Sequence, residues 1–288
     1  MKALILGASG QVGLALAATA PADVAVVACG RAECDLADPD SITAAVNRAR
    51  PDLVFNAAAY TAVDQAESET ERAHALNAVA PGLVAEAARS VGARTIHLST
   101  DFVFDGGAAT PRAPGDPVAP EGVYARTKLE GERRAVAADP DALIVRTAWV
   151  YAPRGANFVN TMLRLMKERE MVRVVADQIG TPTWAPSLAN ALWALAMAKA
   201  KGLYHYTDAG VASWYDFAVA IEEEGRAAGL LSRPTAVVPI STNDYPTAAR
   251  RPAYSVLDKE AAWTLIGRPA PHWRVNLRLN LEELKANG

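Results

Sequence analysis

Apolar residues gather in short runs along the first half of the chain: Ala3–Leu6, Val24–Ala28, Leu53–Asn56, Thr95–Leu98 and Leu143–Val145. None alternates with polar residues, the pattern of strands buried on both faces of a parallel sheet. Helical periodicity fills the gaps. Gln11–Ala20 follows a glycine cluster, and Pro39–Arg50 carries Ile42 and Val46 four residues apart. Glu67–Val91 is Ala-rich, with a break expected at Pro81 and Gly82, and Val123–Ala138 forms a further helix. Repeated strand–helix–strand units predict an α/β fold, a doubly wound parallel sheet with right-handed crossovers.

After Trp149 the pattern loosens. Helices are expected over Asn157–Glu170, Ser187–Lys201, Tyr215–Gly229 and Val275–Ala286, with strands at Val172–Val175 and Leu203–Tyr206. Asp105–Gly122 holds four Gly and four Pro, too many for a helix or a central strand, so a long loop precedes the Val123–Ala138 helix. A loop of that length in a compact domain is usually functional.

Composition narrows the function. At 288 residues, half apolar and about a fifth charged, the chain is an ordinary globular protein. A net charge of −3 leaves no basic footprint for nucleic acid, and no apolar run is long enough for a membrane span. Lys2–Leu6 leads straight into the glycines without a cleavage-type segment, so no signal peptide is expected. Cys29 and Cys34 match no metal spacing and read as free thiols of a cytoplasmic protein. The four histidines form no i, i+4 pair, and His97, inside a buried run, reads as a satisfied core residue. No metal site is predicted. Trp184, Trp193 and Trp214 read as packing.

Chemistry enters through the order of three features. Gly7-Ala8-Ser9-Gly10-Gln11-Val12-Gly13 ends a strand and opens a helix, the setting in which a glycine loop cradles a pyrophosphate. Gly7 suits the tight turn, Gly10 the close approach and Gly13 helix–strand packing, although the first gap is one residue longer than in Gly-x-Gly-x-x-Gly. At the end of the second strand, Gly30 and Arg31 stand where an acid would select an unphosphorylated ribose, and so favour a 2′-phosphate; Glu33 lies close by. Asp35 and Leu36 follow, where an adenine would rest. Asn56-Ala57-Ala58-Ala59-Tyr60-Thr61 closes the third strand with small side chains. Last come Ser99 and Thr100 at a strand end, then Tyr124 and Lys128 on one helix face. A neighbouring ammonium lowers a phenol pKa, and a strand-end hydroxyl can bond a reacting oxygen. Taken singly, each has a plainer use: a turn, a surface Arg, a solvated Lys. Taken in this order they are equipment for moving a hydride and a proton at a carbonyl.

These residues resemble the extended short-chain dehydrogenase/reductases, and within them the dTDP-4-dehydrorhamnose reductase family. The resemblance runs nearly end to end through Gly7–Gly13, RAECDL (31–36), NAAAYTAVD (56–64), STDFVFDG (99–106) and YARTKLEGE (124–132). It continues in RTAWVY (146–151), DQIGTPT (177–183), SWYDFA (213–218) and RPAYSVLD (251–258). The family implies a Rossmann-type sheet over 1–148 and a smaller C-terminal substrate-binding domain over 149–288, with segments around 171–206 returning to the sheet. It implies NADPH-dependent reduction of dTDP-4-dehydro-β-L-rhamnose to dTDP-L-rhamnose, NADH being the second option. Tyr124 would donate the proton, Lys128 would partner it and hold the ribose, and Thr100 would polarise the carbonyl beside Asp101. Trp149 would contact the sugar nucleotide. Gly10, Gln11, Val12, Asp35, Leu36, Ala59, Tyr60 and Thr61 would line the cofactor. Some members hold Mg²⁺ at a dimer contact through a Glu in the first helix, where this chain has Ala15, so Mg²⁺ finds no support. The expected assembly is a monomer or homodimer. The scaffold also serves sugar-nucleotide epimerases and dehydratases, and a non-catalytic regulatory subunit of methionine adenosyltransferase; the intact Tyr124, Lys128 and Thr100 argue against the latter.

Overall fold

The strands β1 (Lys2–Leu6), β2 (Ala25–Cys29), β3 (Leu53–Asn56), β4 (Arg94–Thr100) and β5 (Leu143–Thr147) join a sixth strand, Gly202–His205, in one sheet of the computed structural model, which describes residues 1–287. All neighbours run parallel, in the order β2-β1-β3-β4-β5 and then Gly202–His205. Because side chains alternate along a strand, both faces must be covered. Ala3, Ile5, Phe55, Ile96, Leu98 and Val145 pack with the helices Gln11–Ala18 and Ala185–Met197. Leu4, Leu6 and Val54 turn to the other face, against Pro39–Ala49 and Ala80–Ser90. The strand order reverses between β1 and β3, and ligands of open α/β sheets bind at the carboxyl ends beside such a switch point.

The helix expected to break at Pro81 does not break there. Thr70–His74 passes into a wider turn, Ala75–Val79, with i→i+5 character, and Pro81 sits in the first turn of the helix that follows. Pro81 has no N–H to give the carbonyl of Asn77, four residues back, so the irregularity falls one turn earlier than the proline. That carbonyl lies where a Cβ on Gly131 would be 2.0 Å away, so the Gly122–Ala138 helix packs unusually close.

A second core gathers Tyr151, Met162, Met166, Phe217, Ile221, Trp273 and Leu277. Met171–Val175 belongs to it and not to the main sheet, correcting part of the expected return over 171–206. This strand pairs with Ala236–Ile240, and its alternation of buried Val172 and Val174 with exposed Met171 and Arg173 suits a sheet covered on one face. Within the expected 171–206 return, it is Ala185–His205 that packs back on the large sheet. The Gly- and Pro-rich segment, expected to serve the site, is a clasp: Arg112 exchanges backbone hydrogen bonds with Val256 and Asp258, 2.9 and 2.8 Å long. Among the described residues no helix is long and apolar enough to cross a membrane.

Candidate active site

One cleft of about 790 Å³ runs along the carboxyl edge of the sheet and reaches the second core. Gly7, Gly10, Gln11, Val12, Gly30, Arg31, Asp35, Leu36, Ala59, Thr61, Thr100, Asp101, Tyr124, Lys128 and Trp149 all line it. Of the residues expected to hold the cofactor, Gly13 and Tyr60 do not. Gly13 acts underneath: a Cβ there would stand 2.2 Å from the Gly7 carbonyl, so only glycine lets the helix seat on the turn. Gly7 itself has φ +77°, a left-handed conformation that glycine takes without strain. Tyr60 is pinned by the buried Asn77, whose amide oxygen accepts from the Tyr60 N–H at 2.8 Å and whose amide nitrogen donates to its carbonyl at 3.0 Å. Asn77 gives no signal in the sequence; it lies in an Ala-rich helix and is placed by the wide turn.

The loop is suited to a dinucleotide. The Gln11–Ala18 helix starts at Gly10 with no capping side chain and no acid in its first turn, leaving N–H groups for a phosphate. At the far end, an acid does stand close to β2: the Glu33 carboxylate accepts the Gly30 N–H at 2.8 Å, although Glu33 does not line the cleft. Arg31 is exposed on the cleft wall. Cys34 lines the cleft as well, and both cysteines are buried free thiols.

The reacting end is built by three consecutive residues of β4. The Lys128 ammonium donates to the Leu98 carbonyl at 2.6 Å. The Ser99 hydroxyl donates to the Glu132 carboxylate. The Thr100 hydroxyl donates to Asp101 at 3.0 Å, accepts the Phe102 N–H at 3.2 Å, and is hydrogen-bonded to the Tyr124 phenol. The Phe102 ring meets that of Tyr124 edge-on at 5.5 Å.

The expected lowering of the Tyr124 pKa is not found in the ligand-free protein. Burial pushes the phenol up to about 12, with the Thr100 hydrogen bond pulling the other way and Asp101 adding to the rise. Lys128 points at Leu98 and is itself pushed down to about 8 by burial, against the pull of Glu132. Burial also raises Asp101 to about 6. His97, beside Lys128, is buried with neither ring nitrogen partnered, so it is a core residue but not a satisfied one; burial holds it neutral.

Trp149 carries φ +47°, a strained conformation for a bulky residue of the kind functional sites retain. Its ring lies on Gly180 and stacks on Trp214, centroids 3.5 Å apart and planes 7° from parallel. Trp214, read from sequence as packing, lines the cleft, as do Arg154 and Arg251. Arg251 is paired with Asp64 at 2.7 Å. Trp193 is core, edge-on to Phe55 at 4.5 Å. These additions lie far apart in sequence and meet only through the fold. Among the described residues no cluster of three or more His, Cys, Asp or Glu could hold a metal.

Comparison with known proteins adds three findings. The sequence model of the RmlD substrate-binding domain family matches residues 1–286. The chain is 45% identical over 296 residues to the dTDP-4-dehydrorhamnose reductase of Burkholderia thailandensis, covering 99% of each. Two solved dTDP-4-dehydrorhamnose reductases are similar throughout. That of Clostridium acetobutylicum matches with a TM-score of 0.93 at 38% identity, covering 99% of this chain and 100% of that one. That of Bacillus anthracis, in complex with NADP, matches at 0.90 and 34%, covering 98% and 99%.

Proposed function

The chain belongs to the RmlD substrate-binding domain family, and from that premise we propose that it catalyses NADPH-dependent reduction of dTDP-4-dehydro-β-L-rhamnose to dTDP-L-rhamnose, a step of nucleotide-sugar biosynthesis. The observation that carries the reading is the convergence of Tyr124, Thr100 and buried Lys128 in the same cleft as the glycine loop. That loop and the uncapped helix start suit a pyrophosphate, the backbone of Ala57–Ala59 offers a flat wall, and Arg31 is placed for a 2′-phosphate. Bound there, NADPH supplies the hydride taken up by C4 of the sugar.

Tyr124 gives its proton to the carbonyl oxygen as C4 becomes an alcohol, and the resulting phenolate regains a proton from solvent. Thr100 supports the same oxygen with a hydrogen bond, beside Asp101. Lys128 holds the ribose and steadies the phenolate. A phenol carries its proton at neutral pH, as a donor in this direction must. An epimerase or dehydratase of the same fold must first oxidise its sugar, which calls for a phenolate base. Trp149 and Trp214 offer stacked indoles to the sugar nucleotide. We take 1–148, joined by the returning Ala185–His205, as the cofactor half and the rest of 149–288 as the substrate half; the separate second core supports this division. The two free thiols support a cytoplasmic setting, and the assembly is taken as a monomer or homodimer.

Anaerobic turnover with a panel of nucleotide-linked 4-keto-6-deoxy sugars tests the reading. The expected result is NADPH consumption equal to the C4 alcohol formed, with dTDP-4-dehydro-β-L-rhamnose the preferred member. Epimerised or dehydrated product with no net loss of NADPH would overturn it.

A further inference from the structure

We propose that Glu132 is a positioning residue: held by Arg146 and Ser99, its carboxylate fixes the place and the charge of the Lys128 ammonium. The proposal rests on the reductase reading of Lys128 given above. Its basis is geometric. Tyr124, Lys128 and Glu132 are spaced four residues apart on the Gly122–Ala138 helix, and so share a face. The last three residues of β4 receive them: Leu98 takes Lys128, Ser99 takes Glu132 and Thr100 takes Tyr124. Arg146 stands opposite Ser99 on β5 and grips both Glu132 oxygens, at 2.9 and 2.7 Å. Its guanidinium lies over Phe104, 5.1 Å from the ring centre.

The four partners are almost sealed from water, with exposures of 2% for Lys128, 6% for Glu132, 3% for Arg146 and 5% for Ser99. A buried ion pair seldom stabilises a fold better than apolar side chains of the same shape would. Its placement here does something an apolar pair could not. One carbonyl is the hydrogen-bond partner of Lys128, and a dipole alone compensates a buried ammonium poorly. Glu132 supplies the nearby negative charge, and the Arg146 fork stops that carboxylate from rotating onto Lys128 and drawing it off the reacting end. The other groups facing Lys128 do not replace it. His97 on β4 is neutral, Tyr124 is a phenol, and Asp101 is engaged by Thr100. Charged groups on the surrounding helices and loops are engaged elsewhere. Glu67 binds the Val123 N–H, His74 binds Glu130, Glu69 binds Arg72, Arg89 binds the Ala138 carbonyl and Asp64 binds Arg251.

The test follows Lys128 directly, in ligand-free protein, by NMR of lysine labelled at the ε-carbon, its signal assigned by loss in Lys128→Arg. Glu132→Gln should lower the Lys128 titration midpoint by about one pH unit or more, and Glu132→Asp should restore most of that shift. If Glu132→Gln does not fold, Glu132→Gln/Arg146→Met removes both buried charges together and should shift the midpoint the same way by a smaller amount, since the lost Arg146 cation opposes the lost carboxylate. In turnover, the alkaline limb of kcat should move down with the NMR midpoint while KM for the sugar nucleotide stays near wild type. A folded Glu132→Gln, or double variant, with an unmoved Lys128 midpoint would overturn the proposal and leave Glu132–Arg146 a structural strut. Because the NMR readout needs no substrate, a wild-type protein inert toward the sugar would count against the reductase reading alone.

Discussion

The two ends of the cleft are made of different material. The end proposed for the cofactor is mostly backbone: a glycine turn and uncapped helix start within residues 7–13, and a wall of alanines at 57–59. The end proposed for the sugar is side chain: Trp149, Trp214 and Arg251, gathered from three separate segments. Backbone recognition suits a diphosphate that any enzyme of this chemistry must hold, because N–H groups and a helix terminus are available wherever a strand turns into a helix. Side-chain recognition suits the part of the ligand that differs from one enzyme to the next. Tyr124 sits where the ends meet, and substitutions at the three places should separate the two functions.

The largest effect is expected at the junction. Tyr124→Phe keeps the ring against Phe102 but removes the proton, so kcat should fall about 10²–10⁴-fold while NADPH affinity, read by fluorescence, barely changes. Thr100→Val should be milder, since it removes a hydrogen bond but no proton source. At the cofactor end, Gly13→Ala forces a Cβ to within 2.2 Å of the Gly7 carbonyl. Overpacking of that kind costs about 1–3 kcal/mol, so NADPH should bind roughly 10- to 100-fold more weakly, with sugar KM at saturating NADPH little altered. Trp149→Ala should do the reverse, raising sugar-nucleotide KM about tenfold, the loss of a stacking contact worth about 1.4 kcal/mol, and leaving NADPH affinity near wild type. If it instead removes most of the thermal stability, Trp149 is a packing residue and the contrast between the two ends fails.

The last effect concerns stability and leaves the contrast between the two ends untouched. Asp101 is raised to about 6 in the fold, above an unfolded carboxyl, so the folded state holds its proton more tightly. Its stabilising contribution is complete below the unfolded pKa and disappears as pH rises through about 6. Asp101→Asn should therefore raise stability at pH 8 relative to wild type by about 1–3 kcal/mol, with the gain shrinking toward pH 4. A constant difference in Tm across that range would place the effect in packing instead of ionisation.

The same contrast explains what could be read from the sequence. Four of the five strands and the glycine loop are local, since burial on both faces and a strand-to-helix turn leave their mark within a few residues; β2 was expected to be buried as well, but it is the edge strand, with Ala25 and Ala28 exposed. Tyr124, Lys128 and Thr100 were legible because the first two share one helix face by their spacing and the third ends a buried strand, both of them local signals. Asn77, Trp214 and Arg251 were not, because each reaches the site through tertiary packing that no nearby residue announces. The Met171–Val175 strand was found but sent to the wrong sheet, as a short apolar run does not say which partner it has. The direction of the Tyr124 shift was misjudged for a related reason: spacing placed the ammonium near it, and only the fold shows that Lys128 turns to Leu98 while the surrounding protein desolvates the phenol.

The most direct test of the central claim is a single turnover of wild-type protein with dTDP-4-dehydro-β-L-rhamnose and NADPH deuterated at the transferable position, followed by mass and NMR analysis of the sugar. Net reduction predicts one deuterium at C4 of dTDP-L-rhamnose for each NADPH consumed. A sugar that is epimerised or dehydrated while the cofactor returns unconsumed would contradict it.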